Sequence, residues 1–461
     1  MTLQATMTSH RGVRILSALL VMLMALALAA PARAKVYIDI DSPGGKLLPI
    51  AIQKIAGLEI PGSGVKPISS AARADAATYK LKRSIMDALM GDIKFSGFFE
   101  ILDKNAYIED ISDSGLTRDE TDFSLWRIID AELLIKGGIR LDGEKLTAEF
   151  RLFDTGRGTT LLAKRYVGSK NSPRLLAHRF ADDLIKKLTG KKGIYSTKIA
   201  FISNVGGSKE VYMADYDGKN IKQVTSNGSI NISPRWSPDR RKLLYTSYMT
   251  GYPCIFEQEL ITGRVSVISD KEGSNIGGRW SPDGTRIAYT ATGRKSPEIY
   301  IRNSSSGKLT QLTNNYSIDV SPVWSPDGKR IAFVSDRAGN PHIYMIKSTG
   351  GKVRRITYKG KYNTDPDWSP DGKTIAFTRF DKTGTNVWTI RPDGTGLKQL
   401  TFEGNNQSPS WSPDGRYLVF SRQWTGRVKR LYIMRKDGSG MERIKIKIGK
   451  TSAPSWSPYR R

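Results

Sequence analysis

Histidine and cysteine, which often act as catalytic bases and nucleophiles, are scarce in this sequence. It contains three histidines, His10, His178 and His342, and one cysteine, Cys254. His178 and His342 lie far apart along the chain, and there is no Gly-x-Ser-x-Gly motif. These residues support neither a Ser-His-Asp triad, a His-rich metal site nor an intramolecular disulfide. We therefore predict no catalytic, cofactor-binding or metal-binding residues, and a structural role for Cys254.

Paired carboxylates are the other groups that carry chemistry, and turns account for them better than catalysis. Asp215 to Gly218 reads Asp-Tyr-Asp-Gly, and Asp365 to Asp367 reads Asp-Pro-Asp. A calcium loop would need further oxygen ligands at fixed spacing and a late bidentate Glu, which the first segment lacks. Asp-Gly pairs are typical of hairpin turns. The interpretation is that these carboxylates shape turns.

A repeated Trp-Ser-Pro motif dominates the C-terminal part of the chain. Its spacings are 44, 44, 44, 43 and 45 residues. The repeated tryptophans are Trp236, Trp280, Trp324, Trp368, Trp411 and Trp456. A period of roughly 40 to 45 residues is typical of a β-propeller, in which each repeat forms one four-stranded blade. The sequence therefore predicts an all-β six-bladed β-propeller.

One repeat is enough to place the four strands of a blade. Around Trp324, β-rich runs at 331–335, 342–346 and 352–357 are separated by turn residues, and the innermost strand is expected near 319–324. The run 198–202 has no Trp-Ser-Pro before it, whereas Trp456 has no strand after it. We predict that the last residues complete the blade that begins at Lys198, which closes the ring without an open sheet edge.

Short polar segments lead into the predicted innermost strands and are expected to ring the mouth of the central channel. Such loops form a concave surface rich in hydrogen-bonding groups, which suits partner binding, although plain connecting loops remain the alternative. The candidate partner-binding residues are Asn231, Ser274, Asn275, Ile276, Ser317, Asp319, Asn363, Asp365, Asn405 and Gln407.

The segment before the propeller mixes strand and helix patterns. Strands are predicted at 36–40, 46–53, 98–102, 131–140 and 146–153, and helices at 79–90 and 172–188. The Gly-rich and Ser-rich stretch 57–77 is predicted to be a loop. The domain prediction is a signal peptide at 1–34, an α/β domain at 35–194 and the propeller at 195–461.

The first 34 residues read as a cleavable export signal. Basic residues precede an apolar run at 15–29, and Ala32-Arg33-Ala34 gives a small-x-small cleavage pattern. Export and a soluble mature chain without a transmembrane segment are predicted. The formal net charge is +28, but export argues against nucleic acid as the partner, so acidic envelope surfaces or a solvated basic face remain.

Cleavage would expose a short alternating segment at the new N-terminus. It is either an edge strand or a detachable peptide that adds to a partner's sheet. Its residues are Lys35, Val36, Tyr37, Ile38, Asp39, Ile40 and Asp41.

Taken together, the export signal, the α/β domain, Leu188 to Gly190 before the first strand, six Trp-Ser-Pro repeats and the terminal Pro454 to Tyr459 segment resemble the TolB family of periplasmic propellers. The resemblance covers essentially the whole mature chain and implies a non-enzymatic member of the Tol-Pal system. It implies that the mouth binds Pal, a peptidoglycan-associated lipoprotein, and that the N-terminal segment, here Lys35 to Asp41, contacts the inner-membrane protein TolA. A role in outer-membrane integrity and in constriction during cell division would follow.

The chain departs from the family at one mouth position. Well-known members carry a His six residues before the second Trp, where this chain has Ser274, so the partner contact is expected to be altered there. Other outer-membrane lipoproteins are further candidate partners, and the protein is expected to be a monomer. A propeller-type hydrolase or a carbohydrate-binding envelope protein is the alternative.

Overall fold

The computed structural model describes residues 47–59, 66–67, 76–109, 115–292, 296–382 and 384–460. These residues belong to one compact unit, Leu47–Arg461. The predicted signal peptide, the strand at 36–40 and the segment Lys35 to Asp41 lie outside the described residues.

The N-terminal region combines strands with three helices. Its elements are β1 (Leu48–Ile52), β2 (Ala56–Glu59), β3 (Lys66–Pro67), α1 (Ala76–Ser96), β4 (Phe99–Ile101), a 3-10 turn (Lys104–Ala106), α2 (Phe123–Ile128), β5 (Leu133–Asp142), β6 (Lys145–Asp154), β7 (Thr159–Ser169) and α3 (Pro173–Thr189). β1 pairs in parallel with β4 and β5, whereas β5, β6 and β7 form an antiparallel meander. The α/β prediction is confirmed.

Apolar side chains on the two long helices build the core over this sheet. Ile85 and Leu89 on α1 and Phe180 on α3 are fully buried, and the Phe180 ring stacks on Phe150 of β6 at 4.8 Å. The helical spacing of Ile85 and Leu89 predicted α1, whereas the Ser172-Pro173 pair predicted the start of α3. The prediction missed β7, because this strand exposes one face and carries many polar residues. It also missed β3, which lies within the stretch expected to be a loop, and β2, which overlaps the start of that stretch.

Six four-stranded antiparallel sheets follow and form the propeller. The strands are β8 (Lys198–Ser203), β9 (Glu210–Asp215) and β10 (Lys222–Gln223) in blade 1; β11 (Asn231–Trp236), β12 (Lys242–Ser247), β13 (Cys254–Glu259) and β14 (Val265–Ser269) in blade 2; β15 (Asn275–Trp280), β16 (Arg286–Thr292), β17 (Pro297–Asn303) and β18 (Leu309–Gln311) in blade 3; β19 (Asp319–Trp324), β20 (Arg330–Ser335), β21 (His342–Lys347) and β22 (Arg354–Arg355) in blade 4; β23 (Tyr362–Trp368), β24 (Ile375–Asp381), β25 (Gly384–Ile390) and β26 (Lys398–Gln399) in blade 5; and β27 (Asn405–Trp411), β28 (Tyr417–Gln423), β29 (Arg430–Arg435) and β30 (Glu442–Arg443) in blade 6. The six-bladed prediction is confirmed.

The last strand closes the ring, as predicted. β31 (Thr451–Trp456) pairs antiparallel with β8 as the innermost strand of blade 1, with Thr451 opposite Ser203 and Trp456 opposite Ile199. Trp456 is buried, and its Nε1 donates to Thr197 Oγ1 at 2.8 Å. The two ends of the propeller therefore share one sheet, and no inner-strand edge is left open there.

In blades 3 to 6 a Ser-Pro-Asp-Gly segment forms the turn after the innermost strand. In blade 4 the Ser325 hydroxyl donates to Asp327 and accepts from the Arg330 backbone N–H at 2.9 Å. Gly328 has φ +67°, a left-handed conformation that glycine adopts without a steric penalty. The turn interpretation of the Asp-Gly pairs is thus consistent with the hydrogen bonds. The same interpretation is wrong for Asp365 and Asp367, because both lie within β23 at a register shift of the strand.

The N-terminal region packs on the face of the propeller that carries these turns. Phe95 of α1 contacts the rings of Tyr216 and Tyr417 at 5.2 and 4.9 Å. Beside it, Asp92 accepts from the Tyr216 hydroxyl and pairs with His178 Nδ1, each at 2.7 Å. His178 thus belongs to a buried contact between α1, α3 and blade 1. None of the helices in the described residues is long and apolar enough to span a membrane.

Loss of the closing tryptophan should destabilise the whole ring. We expect Trp456→Ala to lower the free energy of unfolding by about 3 to 5 kcal/mol, because it empties a buried site and removes the bond to Thr197. Trp424→Ala is the matched control, since Trp424 is half-buried on a surface hairpin, and it should cost about 1 kcal/mol or less. Urea unfolding of both variants measures the difference; equal costs would contradict the closing role of Trp456.

Candidate functional site

The topology of the blades defines the face on which the channel mouth lies. Every innermost strand begins on one face and ends at its Trp on the other. Because the strands of each blade alternate in direction, the loops that enter the innermost strands share the first face with the hairpins between the second and third strands. We call this the mouth face; it lies opposite the Trp-Ser-Pro turns. The polar segments proposed from the sequence lie here.

Four candidate residues are buried inside the mouth face and are not available to a partner. Asn231, Asn275, Asp319 and Asn363 stand at or near the start of their innermost strands and are fully buried. The expectation that their side chains present hydrogen-bonding groups at the surface is therefore wrong. Each of them instead bonds back to the loop that precedes its strand or to the neighbouring blade.

The network around blade 4 shows how these bonds join adjacent blades. Asp319 accepts from Arg337 at 2.8 Å and from Asn315 Nδ2 at 2.8 Å. Asn315 Nδ2 also donates to Glu298 of blade 3, and Glu298 accepts from Thr313 Oγ1 at 2.6 Å. Burial raises the pKa of Glu298, although these donors oppose the shift. Satisfied buried polar networks of this kind fix one arrangement of the blades.

The same arrangement recurs in the next blade with different residues. Asn363 Nδ2 lies 2.9 Å from His342 Nδ1 and donates to Lys359 O at 3.1 Å, while Thr357 Oγ1 lies 3.2 Å from His342 Nδ1. His342 is buried in blade 4, and His178 lies in the contact with the N-terminal region. The two histidines therefore occupy separate structural clusters. No group of three or more metal-ligating side chains occurs in the part of the chain that the structure describes.

The remaining candidates are partly or fully exposed. Asn405 is exposed, whereas the side chains of Ser274, Ile276, Ser317, Asp365 and Gln407 are half-buried. Gln407 Oε1 accepts from Lys429 Nζ at 2.8 Å. Asp365 accepts from the hydroxyls of Thr378 and Ser408, each at 3.2 Å. The structure thus brings only part of the predicted set to the surface.

A repeated backbone feature sets the direction of these innermost strands. In all six, a register shift accompanies a residue with positive φ. These residues are Ser233, Gly277, Ser321, Asp365, Ser408 and Ala453. A β-bulge re-aims side chains and bends a strand, so each blade turns its backbone at the same level of the channel.

Exposed apolar side chains are concentrated on the mouth face, and the sequence reasoning missed them. Among the exposed large hydrophobic residues of the described propeller, only Ile261, Val265 and Val267 lie elsewhere. The mouth-face set is Val205, Ile230, Tyr248, Met249, Tyr252, Tyr316, Ile318, Tyr358, Tyr362, Phe380, Phe402 and Val428. Exposed apolar side chains gathered on one face are typical of an interaction site. In the sequence, this surface could have been recognised from the aromatic residue that follows a polar residue in several of the loops leading into the innermost strands.

Basic side chains border the same surface at the closing seam. Lys429 precedes the third strand of blade 6, and Lys450 precedes β31. Thr451 N–H donates to Lys429 O at 3.0 Å, which sets these two segments side by side. Burial, together with the nearby charges of Lys450 and Lys209, lowers the pKa of Lys429. Asp365 opposes this shift as one acidic neighbour against two lysines, so the mouth face presents apolar groups beside an excess of positive charge.

Buried His342 should make the free energy of unfolding depend on pH. Burial and the neighbouring Arg355 and Arg379 lower the pKa of His342 from 6.5 to about 4. The unfolded chain therefore binds a proton between about pH 6.5 and 4 that the folded chain does not, and stability falls as the pH falls through this range. His342→Asn introduces asparagine, which blade 5 has at the equivalent position, Asn386. The variant's stability should therefore change less with pH. Melting temperatures measured from pH 7 to 4 check this expectation. Asn340→Ala, a change at an exposed neighbour, is the control and should show the same change of melting temperature with pH as the wild type. If His342→Asn also behaves like the wild type, His342 is not the group responsible.

Comparison with known proteins agrees with this architecture. The family model described as TolB beta propeller domain matches residues 185–460, and the model described as TolB amino-terminal domain matches residues 36–161. The crystal structure of TolB from Acinetobacter baumannii is 27% identical, has a TM-score of 0.74 and covers 92% of this chain and 100% of that chain.

Relatives named Tol-Pal system protein TolB are similar over part of their length. The protein from Desulfosudis oleivorans is 37% identical over 237 residues, which is 51% of each chain, and that from Syntrophotalea carbinolica is 40% identical over 223 residues, 48% of each chain. The chain therefore spans about half the length of the relatives that it matches. Because the propeller model alone takes in more than half of the sequence, the chain belongs to the TolB family.

Proposed function

We propose that this chain is a periplasmic, non-enzymatic component of the Tol-Pal system that binds a Pal-like peptidoglycan-associated lipoprotein through its mouth face. Membership of the TolB family and relatives named Tol-Pal system protein TolB support the system. The observation that supports the mouth face is the concentration of exposed aromatic and aliphatic side chains there. Through this contact the protein would act in outer-membrane integrity and in constriction during cell division.

The electrostatics of the mouth face favour an acidic partner surface. Lys429 is half-buried, and its ammonium group donates to the neutral amide of Gln407. Lys209 and Lys450 add positive charge nearby. Complementary potentials steer encounter and fix the orientation of a partner. A partner with carboxylates placed around an apolar centre would fit this surface.

Cleavage of a signal peptide and a second partner complete the proposed function. We propose that residues 1–34 are a cleaved signal peptide, that the α/β domain runs to residue 194 and that the propeller begins at 195. Cleavage would free the segment Lys35 to Asp41 for a TolA-like inner-membrane protein. A strand-forming peptide of this length suits addition to the edge of a partner's sheet.

Titration calorimetry with the soluble domain of the Pal-like lipoprotein tests the mouth contact. We expect Tyr316→Ala combined with Phe402→Ala to weaken binding about tenfold or more, because aromatic residues at the centre of an interface dominate affinity. Tyr316 is 82% exposed and Phe402 is 70% exposed, so their removal should leave folding intact. Ile261→Ala is the matched control, since Ile261 is 80% exposed on the opposite side of the propeller. Equal affinities for all three proteins would remove the mouth face from the proposal.

The second contact is tested by replacing Lys35 to Asp41 with a Gly-Ser segment of equal length. We expect binding to the soluble domain of the TolA-like protein to be lost, because the replacement removes the apolar side chains that would enter the partner's sheet edge. Binding to the Pal-like domain, measured on the same preparation, should persist. Retained TolA-like binding would move that contact elsewhere on the chain.

A further inference from the structure

The channel holds a cavity at its Trp-Ser-Pro end, opposite the mouth face. Its volume is about 440 Å³. One residue from each blade, the one just before the repeated tryptophan, lines it: Arg235, Arg279, Val323, Asp367, Ser410 and Ser455. The six prolines of the turns also line it. The cavity is thus a pocket on the propeller axis, with one side chain contributed by every blade.

The charges in this ring of six are unbalanced. Arg235 and Arg279 face a single carboxylate, Asp367. Asp367 is already engaged, because Oδ1 accepts from Arg279 Nη1 at 3.0 Å and Oδ2 accepts from the Trp411 backbone N–H at 2.8 Å. Arg279 and Asp367 therefore form a pair, and both carboxylate oxygens of Asp367 accept from groups other than Arg235.

The guanidinium of Arg235 has poor partners among the described residues. Nη1 donates to the carbonyl oxygen of Pro234 at 2.8 Å, and Nε is buried without an acceptor there. Burial and repulsion from Arg279 lower the pKa of Arg235 to about 9, although Asp367 and Asp365 oppose the shift. Asp365 is itself bonded to the hydroxyls of Thr378 and Ser408. A buried guanidinium nitrogen without an acceptor is costly, and an arginine fork matches an oxyanion in shape and charge.

We propose that this cavity is an anion-binding site in which Arg235, assisted by Arg279, holds a carboxylate or a small inorganic oxyanion. The lining favours an anion over a metal cation, because its one carboxylate is already paired and the other groups are arginines, serines, prolines, tryptophans, a tyrosine and a valine. The oxygen atoms would come either from a free ion or from an acidic side chain of a polypeptide that enters between the prolines. This site is separate from the proposed Pal-like contact and does not depend on it.

Calorimetric titration of the purified chain at constant ionic strength tests the site with four probes. These are sodium phosphate, sodium acetate, acetyl-Gly-Glu-Gly-amide and acetyl-Gly-Gln-Gly-amide. We expect at least one of the three anionic probes to bind and the glutamine peptide not to bind. A preference for phosphate or acetate would indicate a free ion, and a preference for the glutamate peptide would indicate a polypeptide carboxylate.

The decisive variant is Arg235→Gln, which keeps a polar side chain but removes the charge. Its affinity for the bound probe should fall about tenfold or more, the loss expected for charge-assisted hydrogen bonds. Arg264→Gln, at an exposed position on the turn before β14, should bind like the wild type. No binding to the wild type at 50 mM of any anionic probe, or equal affinity in Arg235→Gln, would overturn the proposal.

Thermal melting provides a second test of the site if Arg235→Gln binds too weakly for its affinity to be measured by titration. In an anion-poor buffer the variant should melt at a higher temperature than the wild type, because it lacks the guanidinium whose Nε is buried without an acceptor. Added phosphate should raise the melting temperature of the wild type only. A variant that melts lower than the wild type by the same amount with and without phosphate would assign Arg235 a structural role and exclude the site. If this variant does not fold, bromide soaked into wild-type crystals should give an anomalous peak beside Arg235, and its absence would exclude the site.

Discussion

The pairing of β31 with β8 is the constraint on which the rest of the propeller depends. A four-stranded blade buries its faces only against its neighbours, so six blades are stable together only if the first meets the last. The chain achieves this with one strand from each end of the domain, joined through Thr451 to Trp456 and Lys198 to Ser203. No intramolecular disulfide can stabilise the closed ring, since Cys254 is the one cysteine of the sequence. Backbone hydrogen bonds and buried tryptophan therefore carry the closure.

Closure also determines where polar and apolar groups are placed. The buried Asn and Asp residues near the starts of the innermost strands use their hydrogen-bonding groups on neighbouring loops, as Asp319 does with Arg337 and Asn315. These bonds hold the entering loops in fixed positions. Tyr316 and its counterparts can then project outward as exposed apolar groups. Polar residues thus hold the mouth face in shape, and the exposed apolar residues supply the surface that a partner would cover.

The two ends of the channel differ in chemistry because different strand positions face them. At the mouth, loops of unequal sequence supply aromatic groups and lysines. At the other end, the position before each tryptophan places Arg235, Arg279 and Asp367 around one axis, although they come from three blades. The N-terminal region packs on that same side through Phe95 and the Asp92–His178 pair. A partner at the mouth and an ion at the far end would therefore act on opposite faces of one rigid ring.

The repeat by itself determined the six blades, their strand order and the closure, because a fixed period with turn residues between short β-rich runs allows few other folds. Family membership also followed from the order of motifs. The alternation of apolar residues could not reveal that Asn231, Asn275, Asp319 and Asn363 are buried, since a polar residue at a strand start is equally compatible with a loop surface and with an interblade network. Only the tertiary structure decided this, because burial depends on the neighbouring blade, whose residues are distant in sequence. The same holds for Arg235: the lack of an acceptor for its Nε becomes visible only when six strands converge on one axis and Asp367 is found to be engaged by Arg279 and Trp411.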